Sequence, residues 1–243
     1  MSQFMDILRL PNAKFGVTKG QFDDISHAHP FGAVPAMSQN QTGTVWDVND
    51  TLYPWSVLAT AGTLTIPAVN ASDNGKSVTI MGLDSNYEAL SETIVISSSA
   101  SVTTTNSFLR VNQAYMHNGS GVNVGNINIQ RSATTVARIT AGKGQTLMAI
   151  YTVPAGTTAY VLQGACSCQA GADATGEMFV RQYGTASFRV GHTFEVSGSG
   201  GAYLYEFCLP VKIPEKCDID IRATVRSNNA RITAHFDLLL DYD

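Results

Sequence analysis

The sequence predicts an all-β protein: two β-sandwich or jelly-roll-like domains preceded by an extended N-terminal arm. Three observations carry that expectation. From Cys217 to Leu240 the chain alternates, with Cys217, Ile219, Ile221, Ala223 and Val225 apolar against Asp218, Asp220, Arg222, Thr224 and Arg226. After the turn Ser227-Asn228-Asn229 the pattern resumes, with Ile232, Ala234, Phe236, Leu238 and Leu240 against Arg231, Thr233, His235 and Asp237. A period of two places alternate side chains on opposite faces, so this reads as two half-buried antiparallel strands. Short runs of the same kind recur from Trp46 onward between turn signals, with no helical period among them. Finally, charged residues make up only 14% of the chain, below the usual share of about 25%.

Taken in order, residues 1–45 show no sustained period and are punctuated by Pro11, Gly16, Gly20, Pro30, Gly32 and Pro35. The segment is too long for an ordinary loop and too apolar for a solvated tail, so it reads as an arm docked on neighbouring subunits. Phe4, Ile7, Leu8, Phe15, Phe22 and Phe31 are its candidate interface residues, joined by the aromatic cluster Trp46, Tyr53 and Trp55. The first sandwich, residues 46–140, is assigned strands at Leu64–Ile66, Ser77–Leu83, Leu90–Ile96, Phe108–Met116 and Val122–Gln130. They are separated by turns such as Asp73-Asn74-Gly75 and Asn118-Gly119-Ser120-Gly121. Thr135–Thr140 and Ala141–Gly144 mark the boundary. The second sandwich, residues 141–243, takes Thr146–Val153, Thr158–Cys168, Glu177–Tyr183, Ser187–Val196, Tyr203–Val211 and the two terminal strands.

Composition narrows the function classes. The net charge is -4 and the 15 basic residues are scattered, so no basic patch offers a nucleic-acid groove. No apolar run approaches the roughly 20 residues of a membrane span. Asp6 and Arg9 interrupt what would be the apolar core of a secretion signal, an expectation of use without that route. A surface of neutral hydroxyls and amides is cheaper to desolvate than a charged one, and that suits subunit burial. Of Cys166, Cys168, Cys208 and Cys217, buried thiols are the favoured reading, ahead of a disulfide or a metal site.

The chemical candidates each have a plainer rival. Asp23, Asp24, His27 and His29 form the nearest approach to a metal cluster, but a two-residue histidine spacing without further ligands reads as part of the arm. His192 shares parity with Phe188, Val190, Phe194 and Val196, which makes it an inward packing residue. Gly142-Lys143-Gly144 fails the phosphate-loop spacing. Asp84 and Asn86 lack the rest of a calcium loop, and Glu88 with Glu92 is read as surface turn chemistry rather than a hydrolytic pair. No catalytic residue, cofactor site or metal site is assigned, and the chain reads as non-enzymatic. A carbohydrate-binding module with stacking on Trp46, Tyr53 and Trp55 is the alternative, and a β-sandwich hydrolase a third reading without defensible carboxylates.

The segments Ser77–Ile94 (SVTIMGLDSNYEALSETI), Phe108–Tyr115 (FLRVNQAY), Gly144–Gly156 (GQTLMAIYTVPAG) and Pro210–Ile219 (PVKIPEKCDI) resemble tailed-bacteriophage virion proteins. The resemblance spans roughly residues 46–243, leaves the arm aside and carries over no functional residue. It implies a structural subunit of a particle, foremost a capsid decoration (cement) protein docked by its arm, with a neck, tail or fibre position as the alternative. The partners it implies are further copies of this chain, a trimer by analogy, and other virion proteins such as the major capsid protein. The implied location is the virion, assembled in the host bacterial cytoplasm.

Overall fold

A computed structural model describes residues 13–197 and 201–242. It is nearly all β: seventeen strands, one six-residue helix and two short 3-10 turns among the described residues. The helix α1 (Ala13–Thr18) is followed by β1 (Ile25–Ala28), β2 (Phe31–Met37) and β3 (Thr42–Thr44). After Trp46 come a 3-10 turn at Trp55–Leu58, β4 (Thr65–Ile66) and a second 3-10 turn at Ala71–Asp73. Then follow β5 (Ser77–Leu83), β6 (Ala89–Val95), β7 (Val102–Thr103), β8 (Arg110–Met116), β9 (Ile127–Arg131) and β10 (Thr134–Ile139). The last part holds β11 (Ile150–Thr152), β12 (Thr157–Cys168), β13 (Ala174–Arg181), β14 (Arg189–Val196), β15 (Ala202–Ile213), β16 (Asp218–Val225) and β17 (Ala230–Tyr242).

Four sheets enclose two main cores. One five-stranded sheet runs β1-β17-β12-β15, with β2 also on β17, and a second runs β11-β16-β13-β14, with β3 also on β16. Their facing side chains share one core, in which Val161, Ile219, Val225, Ile232, Phe236 and Leu238 are almost fully enclosed. The sheets β10-β9-β4-β7 and β6-β5-β8 contribute to the other core, around Leu64, Ile66, Ile80, Phe108, Ile127 and Ile129. Each buried aliphatic side chain stabilises by about 1.5–3 kcal/mol against exposure, so two such clusters dominate the folding energy.

The N-terminal segment corrects the expectation of an extended arm docked on neighbouring subunits. Residues 25–44 supply β1, β2 and β3, which complete both sheets of this chain's own C-terminal core. β1 pairs Ile25 with Asp241 through Ala28 with Leu238, and β2 continues in the same register, Phe31 with His235 and Gly32 with Ala234. The two are one run along the edge of β17, broken at His29-Pro30, where the Pro30 carbonyl still accepts from the Phe236 N–H at 3.1 Å. A register shift between Val34 and Met37 falls at Pro35, the position in a strand where a missing N–H does least harm. β3 then crosses to pair with Arg222–Thr224 of β16. The glycine and proline punctuation that looks irregular in the sequence belongs to an edge strand with a break and a bulge. The 46–146 core is therefore inserted between β3 and β11 of the other. Phe4, Ile7 and Leu8 lie outside the described residues.

Most strand expectations hold to within a few residues. β5 runs over Ser77–Leu83 as expected, and β17 extends the last strand to Tyr242. Val122–Gln130 shortens to Ile127–Arg131, because Asn123 turns inward and its amide donates to the Gly125, Ile139 and Thr140 carbonyls at 2.8–3.0 Å. Ser132 and Ala133, at φ 49° and 65°, form a two-residue hairpin loop between β9 and β10, the backbone that matches strand twist.

Candidate functional site

β16 carries the chain's main departure from the simple alternating pattern. Its apolar face enters the C-terminal core as expected, but Asp218 and Asp220 on the other face are only 2% and 0% exposed. The inserted core covers them. Asp218 sits between two guanidiniums: Arg110 of β8 donates through Nε to Oδ1 at 2.8 Å, and Arg181 of β13 donates through Nε and Nη2 to Oδ2 at 2.9 and 2.6 Å. The Thr152 hydroxyl adds a bond to Oδ1 at 2.6 Å. Arg110 also donates to the Leu58 and Leu109 carbonyls, so its fork ties the 3-10 turn to β8 and β16. Burial alone would lower the Arg110 pKa, but the Asp218 hydrogen bond and charge outweigh it and hold the guanidinium above its usual range.

Asp220 forms the companion node. Its Oδ1 accepts from the Thr44 hydroxyl at 2.8 Å, and its Oδ2 accepts from Trp55 Nε1 at 3.1 Å and Arg222 Nε at 2.9 Å. Burial pushes its pKa up, against the opposing pull of Arg222, Trp55 and Thr44. The Thr44 oxygen in turn accepts from the Tyr53 N–H at 2.9 Å. The seam between the two cores is thus a hydrogen-bonded ionic network, which fixes their relative position by geometry as well as area.

The expected interface residues fall in several places. Trp46, Tyr53 and Trp55 are 1%, 3% and 7% exposed, edge-to-face with one another at 5.1 and 4.7 Å, and Trp55 also meets Phe188. They anchor the seam within this chain and are offered neither to a neighbour nor to a sugar. Phe22 packs with Val17, Ile25 and Leu239 in a small cluster under α1. Phe31 is half-buried beside His29, while Phe15 is 62% exposed.

The other sequence candidates have structural explanations. His29 Nδ1 meets Asp237 Oδ1, and the His29 and His235 rings lie 4.9 Å apart. Burial, then the His29 charge, lower the His235 pKa, with Asp237 opposing. Among the described residues no group of three or more metal-capable side chains converges. Asp84 Oδ1 accepts from the Asn86 and Glu88 N–H groups, and Glu92 caps the Thr105 and Asn106 N–H groups, so both are turn chemistry. Cys166, Cys168 and Cys217 are buried free thiols, Cys166 pushed up to about 12 by burial, whereas Cys208 is exposed. The shared parity of Phe188 with Phe194 does not hold. β14 pairs His192 with Met178 but Val190 with Phe179, so Gly191 is an extra residue that flips what precedes it. Phe188 accordingly packs on the inserted core and Phe194 in the other.

One buried group carries a pH prediction. Asp47 is 5% exposed, and neither carboxylate oxygen makes a hydrogen bond of good geometry among the described residues, although Thr140 lies close enough to interact with it. Burial raises its pKa to about 6, with Thr140 and the Arg138 charge pulling it down by less. A carboxyl raised on folding costs stability once it must ionise, so stability falls as pH rises from about 4 through 6. Urea unfolding of the D47N variant against the native chain at pH 4.5 and 8 should show a native-chain disadvantage at pH 8 of roughly 2–3 kcal/mol that shrinks to about 1 kcal/mol at the lower pH.

The outer surface has one apolar margin built from two free edges. β14 and β15 are the end strands of their sheets and lie against one another. They expose Val190 (49%), Leu204 (66%), Tyr205 (37%) and Leu209 (84%), with Tyr183 (62%) just before β14. His192, Phe194, Tyr203, Tyr205 and Phe207 pack as a ring ladder beneath, Tyr203 and Tyr205 nearly parallel at 9°. Against β12 the β15 register jumps from Glu206 to Val211, so Phe207–Pro210 form a bulge in which Leu209 stands in solvent while Phe207 stays packed. A long apolar edge is a pairing template, and a proline-bearing bulge restricts which partner can use it. No helix among the described residues is long and apolar enough to cross a membrane.

No family model matches the chain, and no curated protein matches it. Among solved structures it is similar to a chain of the naturally occurring empty top-component particles of cowpea mosaic virus. That match has 7% identity and a TM-score of 0.23, over 76% of this chain and 82% of that one. A chain of broad bean stain virus matches at 11% identity and a TM-score of 0.21, over 75% and 85% respectively. A chain of infectious bursal disease virus, Gt strain, matches at 11% identity and a TM-score of 0.22, over 89% and 72%. All three are virus structures, and scores of this size establish neither a shared topology nor a shared role.

Proposed function

We propose that this chain is a structural, non-enzymatic subunit of a virion, and that it works as a capsid decoration protein of two sandwich-like bodies. The observation that carries the reading is the β14–β15 margin: two edges without a strand partner among the described residues, with four large apolar side chains reaching solvent, on a chain of only 14% charged residues. The sequence resemblance to tailed-phage virion proteins agrees with it. The docking element is that margin rather than Trp46, Tyr53 and Trp55. A surface of this kind associates with further copies of the chain or with the shell, and symmetry repeats each contact many times. A carbohydrate-binding role loses its platform, since the three aromatics that would stack on a sugar are buried.

The test is light scattering coupled to size exclusion, with the native chain and the L204D/L209D variant, together with cosedimentation on particles lacking the protein. Both leucines are exposed, so the variant should fold with a stability change within about 0.5 kcal/mol. The native chain should self-associate or sediment with the particles, and the variant should do neither. A native chain that stays monomeric and in the supernatant would contradict the proposal.

A further inference from the structure

A cavity of about 210 Å³ opens beside the ionic seam, lined in part by Trp55, Tyr87, Tyr183, Arg110, Arg181 and Lys216. Three cations face it, and among the described residues Asp218 is the single carboxylate in its wall. Asp218 is already shared between both arginines, while the one ion pair of Lys216 among the described residues is a long one of 3.8 Å to its exposed neighbour Glu215. The rings hold the cations in place: Lys216 Nζ lies 5.3 Å from the Tyr183 centroid, and the Arg110 and Arg181 guanidiniums lie 5.6 and 5.2 Å from that of Trp55. Tyr87 and Tyr183 meet edge-to-face at 5.6 Å.

The backbone adds an independent observation. Six non-glycine residues among those described have positive φ. Asn40 and Asn228 are of the type that tolerates it, and Ser132 with Ala133 makes a hairpin loop. The other two are Tyr87 at 66° and Lys216 at 60°, and both line this cavity. Bulky side chains at positions suited to glycine or asparagine store backbone strain, which tends to gather where a ligand is gripped. They come from different parts of the fold, the β5–β6 turn and the turn before β16, and converge from opposite sides of the seam.

We propose that this cavity binds a small multi-oxygen anion, with carboxylate or phosphate chemistry, between Lys216 and the Arg110–Asp218–Arg181 node. The volume is below the roughly 300 Å³ at which drug-sized pockets begin, which favours a compact anion over a nucleotide or a sugar chain. An anion there balances the surplus positive charge between the two cores and stiffens their joint, so occupancy is linked to stability.

The experiment titrates inorganic phosphate and, separately, succinate into the purified full chain at constant ionic strength. Heat of binding and the midpoint of thermal unfolding are read, with chloride as the reference. At least one of the two anions should bind saturably and raise the midpoint, and the arm that responds distinguishes a phosphate from a carboxylate ligand. The K216N variant removes the charge but keeps a residue that accepts positive φ, and should weaken binding about tenfold or more. The Y183A variant, altered at an exposed wall, should also weaken it and guards against a folding defect in the first. No saturable response to either anion, or equal binding by the native chain and both variants, would overturn the assignment.

Discussion

Replacing Asp218 by alanine should lower the unfolding free energy by about 3–5 kcal/mol, because it strands two largely buried guanidiniums in the seam. Arg110 is 6% and Arg181 17% exposed at the side chain, so neither recovers full hydration on losing its partner. Arg110 bridges the 3-10 turn at Leu58, β8 and β16, and the loss should therefore loosen the joint between cores and not only one strand. Urea unfolding gives the magnitude. Pairing the change with Arg110→Met removes one unpaired charge and should return part of the loss, which an ordinary packing defect at Asp218 would not show. A cost below about 1 kcal/mol would mean that the seam is wetter and looser than described.

Gly32→Ala should be at least as damaging, on the order of 5 kcal/mol or outright loss of soluble protein. A Cβ at Gly32 would lie 1.9 Å from the Val45 carbonyl oxygen and 2.5 Å from the Ala149 nitrogen. Those two atoms are hydrogen-bonded to each other at 2.9 Å, inside the crossing between the two cores, so neither can retreat without breaking that bond. The substitution also decides between two views of the N-terminal segment. A docked external arm would tolerate one methyl group with the monomer's stability unchanged, whereas an integral strand against β17 would not. Circular dichroism with thermal unfolding of the isolated chain separates them.

Much of the strand pattern was legible because a period of two needs no tertiary information. β5, β12, β16 and β17 announce themselves in their alternation, and the turns between them in Asp, Asn and Gly. What failed did so for physical reasons. Gly32 and Pro35 read as breaks, but glycine here admits a close backbone approach and proline sits at a bulge, so strand β2 was hidden by residues that its environment requires. Asp218 and Asp220 read as solvent-facing because alternation reports two faces and not what covers each. Their partners Arg110 and Arg181 lie far away in sequence, and no local spacing connects them. A signal was present in the unusual concentration of charge along Asp218, Asp220 and Arg222 in a charge-poor chain. The aromatic cluster was recognised as an anchor, and its burial shows that it anchors this chain to itself. Gly191 is a fair example of parity lost to a single extra residue.

The chain's proposed role as a repeated structural part of a virus particle is tested first by its copy number relative to the major shell protein. Quantitative mass spectrometry of purified particles should find it in a ratio fixed by closed symmetry, hundreds of copies on the order of the shell count for a decoration protein. About a dozen copies would move it to the neck, tail or fibre apparatus, and its absence from purified particles would contradict the claim.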